Sequence, residues 1–306
     1  MKPRLGALAA MLVLAGCGDS GAAADARPQV VTAFYPLQFI SQQIGGDAVT
    51  VTDLTKPGAE PHDLELNPRQ VARISDATLV VHLKGFQPAV DEAVAQEAKD
   101  KAFDAGAAVD LRPAAEEDDH EHAPGEEEHA EATGGKDPHV WLDPVRLATI
   151  ADRLGDRLAQ ADPAHADGYR ARAAALHGRL DDLNTAYATG LQTCQRRDIV
   201  TSHTAFGYLA DRYRLHEVGI TGVSPEAEPT PQRLAEVARV AKTSGTTTIF
   251  FETLVSPKVA DTIAREVGAR TAVLDPVEGR TDPNGDYFTI MRANLTALTA
   301  ALGCTS

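Results

Sequence analysis

Past residue 17 the sequence has no apolar run approaching the roughly 20 residues a membrane-spanning helix needs, so nothing in its body reads as a transmembrane segment. Positive charge is scarce: 29 Lys and Arg stand against 44 Asp and Glu, a formal net charge of −15. Such a balance repels nucleic-acid phosphates and suits a protein that attracts cations. Cysteine is limited to three residues. Neither a His-Glu-x-x-His helix nor a nucleophile elbow occurs, which removes the familiar marks of a secreted zinc hydrolase.

What is present begins with an export signal. Lys2 and Arg4 form a positive start, and Leu5 to Leu14 an apolar stretch too short to span a bilayer. The following Leu14-Ala15-Gly16-Cys17 resembles the lipobox of bacterial lipoproteins. That resemblance implies a signal peptide over 1–16, lipid on Cys17, and an extracytoplasmic protein anchored to the cell membrane. Residues 17–27, rich in Gly, Ala, Ser and Asp, read as a flexible tether with too little apolar bulk to pack. Without Lys2 and Arg4 the net charge is about −17. Outside the cytoplasm the two remaining thiols, Cys194 and Cys304, are expected to form a disulfide, the alternative being two buried free cysteines.

About 280 residues remain, a length that favours two lobes over one core. In the first half, strand patterns at 30–33, 49–54 and 79–83 alternate with helical patterns at 36–44, 68–75 and 88–99, each helix opening on Pro near its first turn. The second half repeats this order, with strands at 199–202, 217–221, 247–252 and 272–274 and helices at 205–213, 231–243, 256–267 and 286–302. Such alternation predicts an α/β fold of two βαβ-type lobes with mainly parallel sheets. The N-terminal lobe is expected over 28–162 and the C-terminal lobe over 192–306. Between them, Tyr169, Ala173, Leu176, Leu180, Leu183 and Tyr187 recur at helical spacing, predicting one rigid linking helix over 163–191, capped by Asp162 and roughly 40 Å long. Residues 116–131 break the pattern: nine carboxylates with His120, His122 and His129, and almost nothing apolar, predict a mobile loop.

Four patches carry the chemistry, each where an element gives way to a loop: Pro57 to Asp63, Asp137 to Pro144, Thr201 to Tyr208, and Leu274-Asp275-Pro276. In open α/β sheets, ligands sit beyond the carboxyl ends of strands, where this reading places His203 and Asp275. With their Pro-His-Asp, His-Val-Trp-Leu-Asp-Pro, Ser-His with Phe-Gly-Tyr, and Leu-Asp-Pro motifs, residues from about 30 to 302 resemble the metal-binding solute receptors of bacterial ABC importers, the zinc and manganese type whose lobes share one long helix, and most of all its high-affinity zinc-uptake lipoproteins.

Carried over one residue at a time, the resemblance implies four metal ligands: His62, His139, His203 and Asp275. Three imidazoles and one carboxylate suit zinc in a closed four-coordinate site, whereas manganese favours more oxygen ligands. In manganese receptors of the family the position of His203 is usually Glu. The expected function is therefore extracytoplasmic capture of Zn(II) between the lobes and delivery to an ABC permease by a monomer without enzymatic activity. A manganese or iron receptor is the alternative, and a zinc hydrolase a more distant one, since a hydrolase keeps a coordination position open for water. Glu60 and Glu252 are candidates to enter the coordination shell or orient an imidazole. Asp143 and Trp141 are expected to shape the wall behind His139. His82, His165, His177 and His216 read as ordinary surface or hydrogen-bonded residues. The acidic loop resembles an insertion of zinc receptors, which implies an auxiliary site at His120, His122 and His129; a solvated charge run is the alternative.

Overall fold

In a computed structural model, residues 27–114, 135–280 and 285–305 are described; the signal peptide, Cys17, most of the tether and the acidic loop with its three histidines lie outside them. The N-terminal lobe contains β1 (Gln29–Thr32), α1 (Tyr35–Gly45), β2 (Thr50–Asp53), α2 (Pro68–Asp76), β3 (Leu79–His82), α3 (Pro88–Glu97) and β4 (Ala102–Asp104). Two long helices follow, α4 (Pro144–Ala161) and α5 (Ala166–Gly190). The C-terminal lobe contains β5 (Asp198–Thr201), α6 (Gly207–Tyr213), β6 (His216–Gly219), α7 (Pro231–Thr243), β7 (Thr248–Phe251), α8 (Lys258–Val267), β8 (Arg270–Val273) and α9 (Tyr287–Leu302).

Both sheets are four-stranded and parallel, in the orders β2-β1-β3-β4 and β6-β5-β7-β8. In each lobe the first strand lies inside the sheet and the chain crosses over it, so a cleft opens beyond the carboxyl ends of the strands. The β1 segment Val30–Val31 and the whole of β3 are buried, which explains their continuous apolar runs.

Helix starts are set by local chemistry. Asn67 and Gln70 form a reciprocal capping box on α2, the Asp143 carboxylate accepts the Val145 N–H at the start of α4, and Asp286 accepts the Thr289 N–H on α9. Each such cap stabilises its helix by about 1 kcal/mol.

The linking helix differs from expectation at its start. Residues Pro163–His165 form a 3-10 turn, and the α-helix proper begins at Ala166. The Asp162 carboxylate does not cap it, because it accepts from the Tyr169 hydroxyl at 2.6 Å and pairs with His165 Nδ1 at 2.7 Å. The six residues read as the apolar stripe are the buried ones, Tyr169 through Tyr187. They pack against α4, a helix the strand-and-helix reading did not register, and against α1 and α9. Through this contact one continuous hydrophobic core runs from Val30 in the first sheet past Leu180 to Leu298 in the second lobe. A separate cluster under the second sheet joins Val200, Ile249, Val237 and Ile263.

Cys194 and Cys304 are joined as a disulfide, tying the exit of α5 to the end of α9 across 110 residues of sequence. Closing a loop of that length restricts mainly the unfolded chain. Replacing both cysteines with Ser is therefore expected to lower unfolding stability by about 2–4 kcal/mol, read from urea titrations of wild type and variant.

Candidate metal centre

Each of the three expected imidazoles stands on a short loop beside a regular element. His62 follows β2 on the Pro-rich segment 54–67, whose Pro61 carbonyl is held by the Gln87 amide at 2.9 Å. His139 precedes a 3-10 turn, Val140–Leu142, that leads into α4. His203 lies just past β5, at the carboxyl edge of the second sheet.

The three side chains converge on one carboxylate, and it belongs to Glu278. Its Oε1 lies 3.4 Å from His62 Nε2, 3.1 Å from His139 Nε2 and 3.3 Å from His203 Nε2. His139 Nε2 and His203 Nε2 are 3.2 Å apart, and one atom from each of the four residues lies within 4.8 Å of all the others. Donors at the corners of a tetrahedron around zinc, with bonds of about 2.0 Å, are separated by roughly 3.3 Å, so these spacings match an ion's shell. His139 and His203 are fully buried, Glu278 is 2 % exposed, and the His62 side chain is the most accessible at 10 %.

The far nitrogens explain why the near ones face inward. His139 Nδ1 lies 2.9 Å from Asp137 Oδ1, and His203 Nδ1 lies 2.7 Å from Glu252 Oε1. A carboxylate on Nδ1 keeps the proton there and turns the Nε2 lone pair toward the metal position. Glu252 thus orients an imidazole, one of the two roles foreseen for it. Asp137 takes the same role for His139 and was missed, although its spacing two residues before a histidine could have signalled it. Glu60 accepts the His62 backbone N–H at 2.8 Å and stays 4.0 Å from Nε2, outside the group of four.

Asp275 is the correction. Its two carboxylate oxygens are engaged elsewhere, Oδ2 by the Thr253 hydroxyl at 3.0 Å and Oδ1 by the Val277 N–H at 2.8 Å, and the acidic member of the group is Glu278, three residues on. The Leu-Asp-Pro resemblance and the strand-end position both pointed to Asp275; the turn after Pro276 is what carries the next acidic side chain into the cleft.

Trp141 stands beside His139. The indole ring is 5.3 Å from the imidazole and donates through Nε1 to the Pro276 carbonyl at 2.7 Å. Asp143 pairs with Arg146 and with Arg212 from the other lobe. His82, His165, His177 and His216 each meet a carboxylate away from the centre.

The buried groups of the centre shift one another's titration. Burial disfavours charge on His139, but its bonds to Asp137 and Glu278 outweigh this and hold its pKa at about 9. His203 is likewise raised well above its ordinary value: burial opposes, and Glu252 and Glu278 prevail. His62 is lowered, chiefly by burial. Burial would raise Glu278, yet the surrounding imidazoles keep it well below the usual range. Glu60 is pushed up to about 8 by burial and then by Glu278.

The family model described as "Zinc-uptake complex component A periplasmic", ZnuA, matches residues 30–301. The chain belongs to the ZnuA family. It is 36% identical to the high-affinity zinc uptake system protein ZnuA of Bacillus subtilis, over 96% of this chain and 95% of that protein. It is 35% identical to the zinc-binding protein AdcA of Streptococcus pyogenes over 90% of its own length, and spans 56% of that longer relative. Among solved structures, the Zn(II)-bound ZnuA-like domain of Streptococcus pneumoniae AdcA superposes with a TM-score of 0.73 at 33% identity, covering 90% of this chain and 99% of the domain. The solved relatives share the fold of two parallel-sheet α/β lobes.

Two outcomes follow from the geometry and charge. Asp137→Ala and Glu252→Ala are each expected to lower zinc affinity by about 10–100-fold, measured by competition with a chelating dye. The ion must displace protons that His139 and His203 retain at neutral pH. Affinity should therefore rise with pH from 6 toward about 9, and calorimetry in buffers of different ionisation enthalpy should show proton release.

Proposed function

We propose that the protein is the extracytoplasmic receptor of a zinc importer: it captures Zn(II) between its lobes and hands it to an ABC permease. The observation that carries this reading is the convergence of His62, His139 and His203 through Nε2 on the Glu278 carboxylate, with two of the distal nitrogens fastened to Asp137 and Glu252. Three imidazoles and one carboxylate make a closed four-coordinate set that suits a borderline-soft d¹⁰ ion, whereas manganese(II) prefers more oxygen and a higher coordination number. A fourth protein ligand also leaves no position for a hydrolytic water, which separates the site from a zinc hydrolase.

In this reading, zinc reaches Glu278 from a cavity of about 190 Å³ that the glutamate shares with Tyr35, Asp53, Lys56 and Arg280. The ion then replaces the protons on the buried imidazoles. His62, on the most exposed ligand loop, completes the shell from the N-terminal side. The rigid α5 and the shared core restrict lobe separation, so release requires work by the permease. Domain limits at 162/163 and 191/192 follow this division of labour.

Cys17 serves as the lipid attachment site, a role in keeping with the name "zinc-binding lipoprotein" carried by AdcA of Streptococcus pneumoniae. Among the described residues, no helix is long and apolar enough to cross a membrane. The protein acts as a monomer, and His120, His122 and His129 form an auxiliary site that gathers zinc.

Metal-stripped protein is expected to bind one zinc at the central site and to prefer it over manganese by at least about 100-fold in equilibrium competition, a preference that His203→Ala abolishes. Equal affinity for the two ions would overturn the zinc assignment. Growth of a deletion strain under chelation, restored by added zinc but not manganese, tests the transport half of the reading.

A further inference from the structure

Val277 has φ of 60° and is fully buried. A β-branched residue in the left-handed region is a genuine outlier, because its Cβ substituents crowd the backbone there. Such a conformation persists only where its surroundings over-determine it. Here every neighbour of Val277 is pinned. Its own N–H donates to Asp275 Oδ1, while Thr253 Oγ1 donates to Asp275 Oδ2.

The Asp275 backbone is held in turn by one side chain, Asn294. Its Oδ1 accepts the Asp275 N–H at 2.9 Å and its Nδ2 donates to the Asp275 carbonyl at 2.7 Å. From the opposite lobe, Trp141 Nε1 donates to the Pro276 carbonyl. On the far side of Glu278, a Cβ on Gly279 would lie 3.0 Å from Leu254 Cδ1 and 3.4 Å from the Ala59 carbonyl, so glycine lets the His62 loop close against the turn. No bond in this set reaches the metal position, yet together they determine where the Glu278 side chain leaves the backbone.

Resting on the ligand set proposed above, we infer that Asp275 is a positioning residue: as a bidentate acceptor for Val277 N–H and the Thr253 hydroxyl, it holds the left-handed turn that aims Glu278 at the three imidazoles. Asp275 needs only acceptor oxygens for this role and no negative charge toward the ion. An Asn in its place retains Oδ1 for the Val277 N–H, and the Thr253 hydroxyl can rotate to accept from the new amide.

Four variants, Asp275→Asn, Asp275→Ala, Glu278→Gln and Thr253→Val, distinguish the roles, each checked for folding by the thermal melt of its metal-free form. Zinc affinity is read by chelator competition, and the ligand field by the visible spectrum of the cobalt(II)-loaded protein. Asp275→Ala is expected to weaken zinc at least about tenfold, and Asp275→Asn to restore affinity to within about threefold with a wild-type cobalt spectrum. Thr253→Val, which removes one donor and leaves the turn's sequence intact, is expected to weaken binding by about threefold, and serves if Asp275→Ala does not fold.

Equal losses in Asp275→Asn and Asp275→Ala, with an altered cobalt spectrum in both, would make Asp275 a ligand and overturn the inference. Wild-type affinity in Asp275→Ala, or in Thr253→Val where it stands in, would also overturn it. Wild-type affinity in Glu278→Gln would instead sink the ligand set itself, so the two failures are separable.

Discussion

One carboxylate oxygen faced by three imidazole nitrogens is the interaction on which the remaining structure depends. His139, His203 and Glu278 are buried and His62 nearly so, and burying titratable side chains is costly unless their hydrogen-bonding capacity is met. For His139 and His203 it is met at both ring nitrogens, by Glu278 on one side and by Asp137 or Glu252 on the other. The centre therefore alternates between two compensated states. In one, protons on the imidazoles balance Glu278; in the other, a divalent cation does. Competition between proton and metal follows from that exchange.

Holding four groups from two lobes at such spacings demands a frame that does not yield. The continuous core through α5 supplies part of it, since separating the lobes would expose apolar surface along the whole helix. Buried polar ties supply the rest. Tyr287 donates to the Trp141 carbonyl, Trp141 to the Pro276 carbonyl, and Tyr208 to the Asp137 carbonyl, each crossing from one lobe to the other beside His139. Breaking any of these would leave a buried polar group unpaired, a penalty of about 1–3 kcal/mol. The His62 loop reaches the second lobe through the His62 Nε2–Glu278 contact at 3.4 Å, and His62 is the most accessible ligand.

The amino-acid sequence by itself determined the alternating α/β architecture, the apolar stripe of the linking helix, the disulfide partners and the three histidines. Most of these features are legible because they are local: strand and helix periods repeat over a few residues, and the His motifs sit in short runs with Pro, Trp and Gly around them; the disulfide instead follows from two cysteines being left to pair. Tertiary structure alone decided the acidic member of the centre. Asp275 and Glu278 are three residues apart with the same functional group, and nothing local separates a carboxylate that braces a turn from one that faces an ion. The choice lies with Val277, whose left-handed backbone depends on contacts from Thr253, Asn294 and Trp141, residues distant in sequence. The start of α5 was hidden by competition, because Tyr169 and His165 engage the Asp162 carboxylate that would otherwise cap the helix.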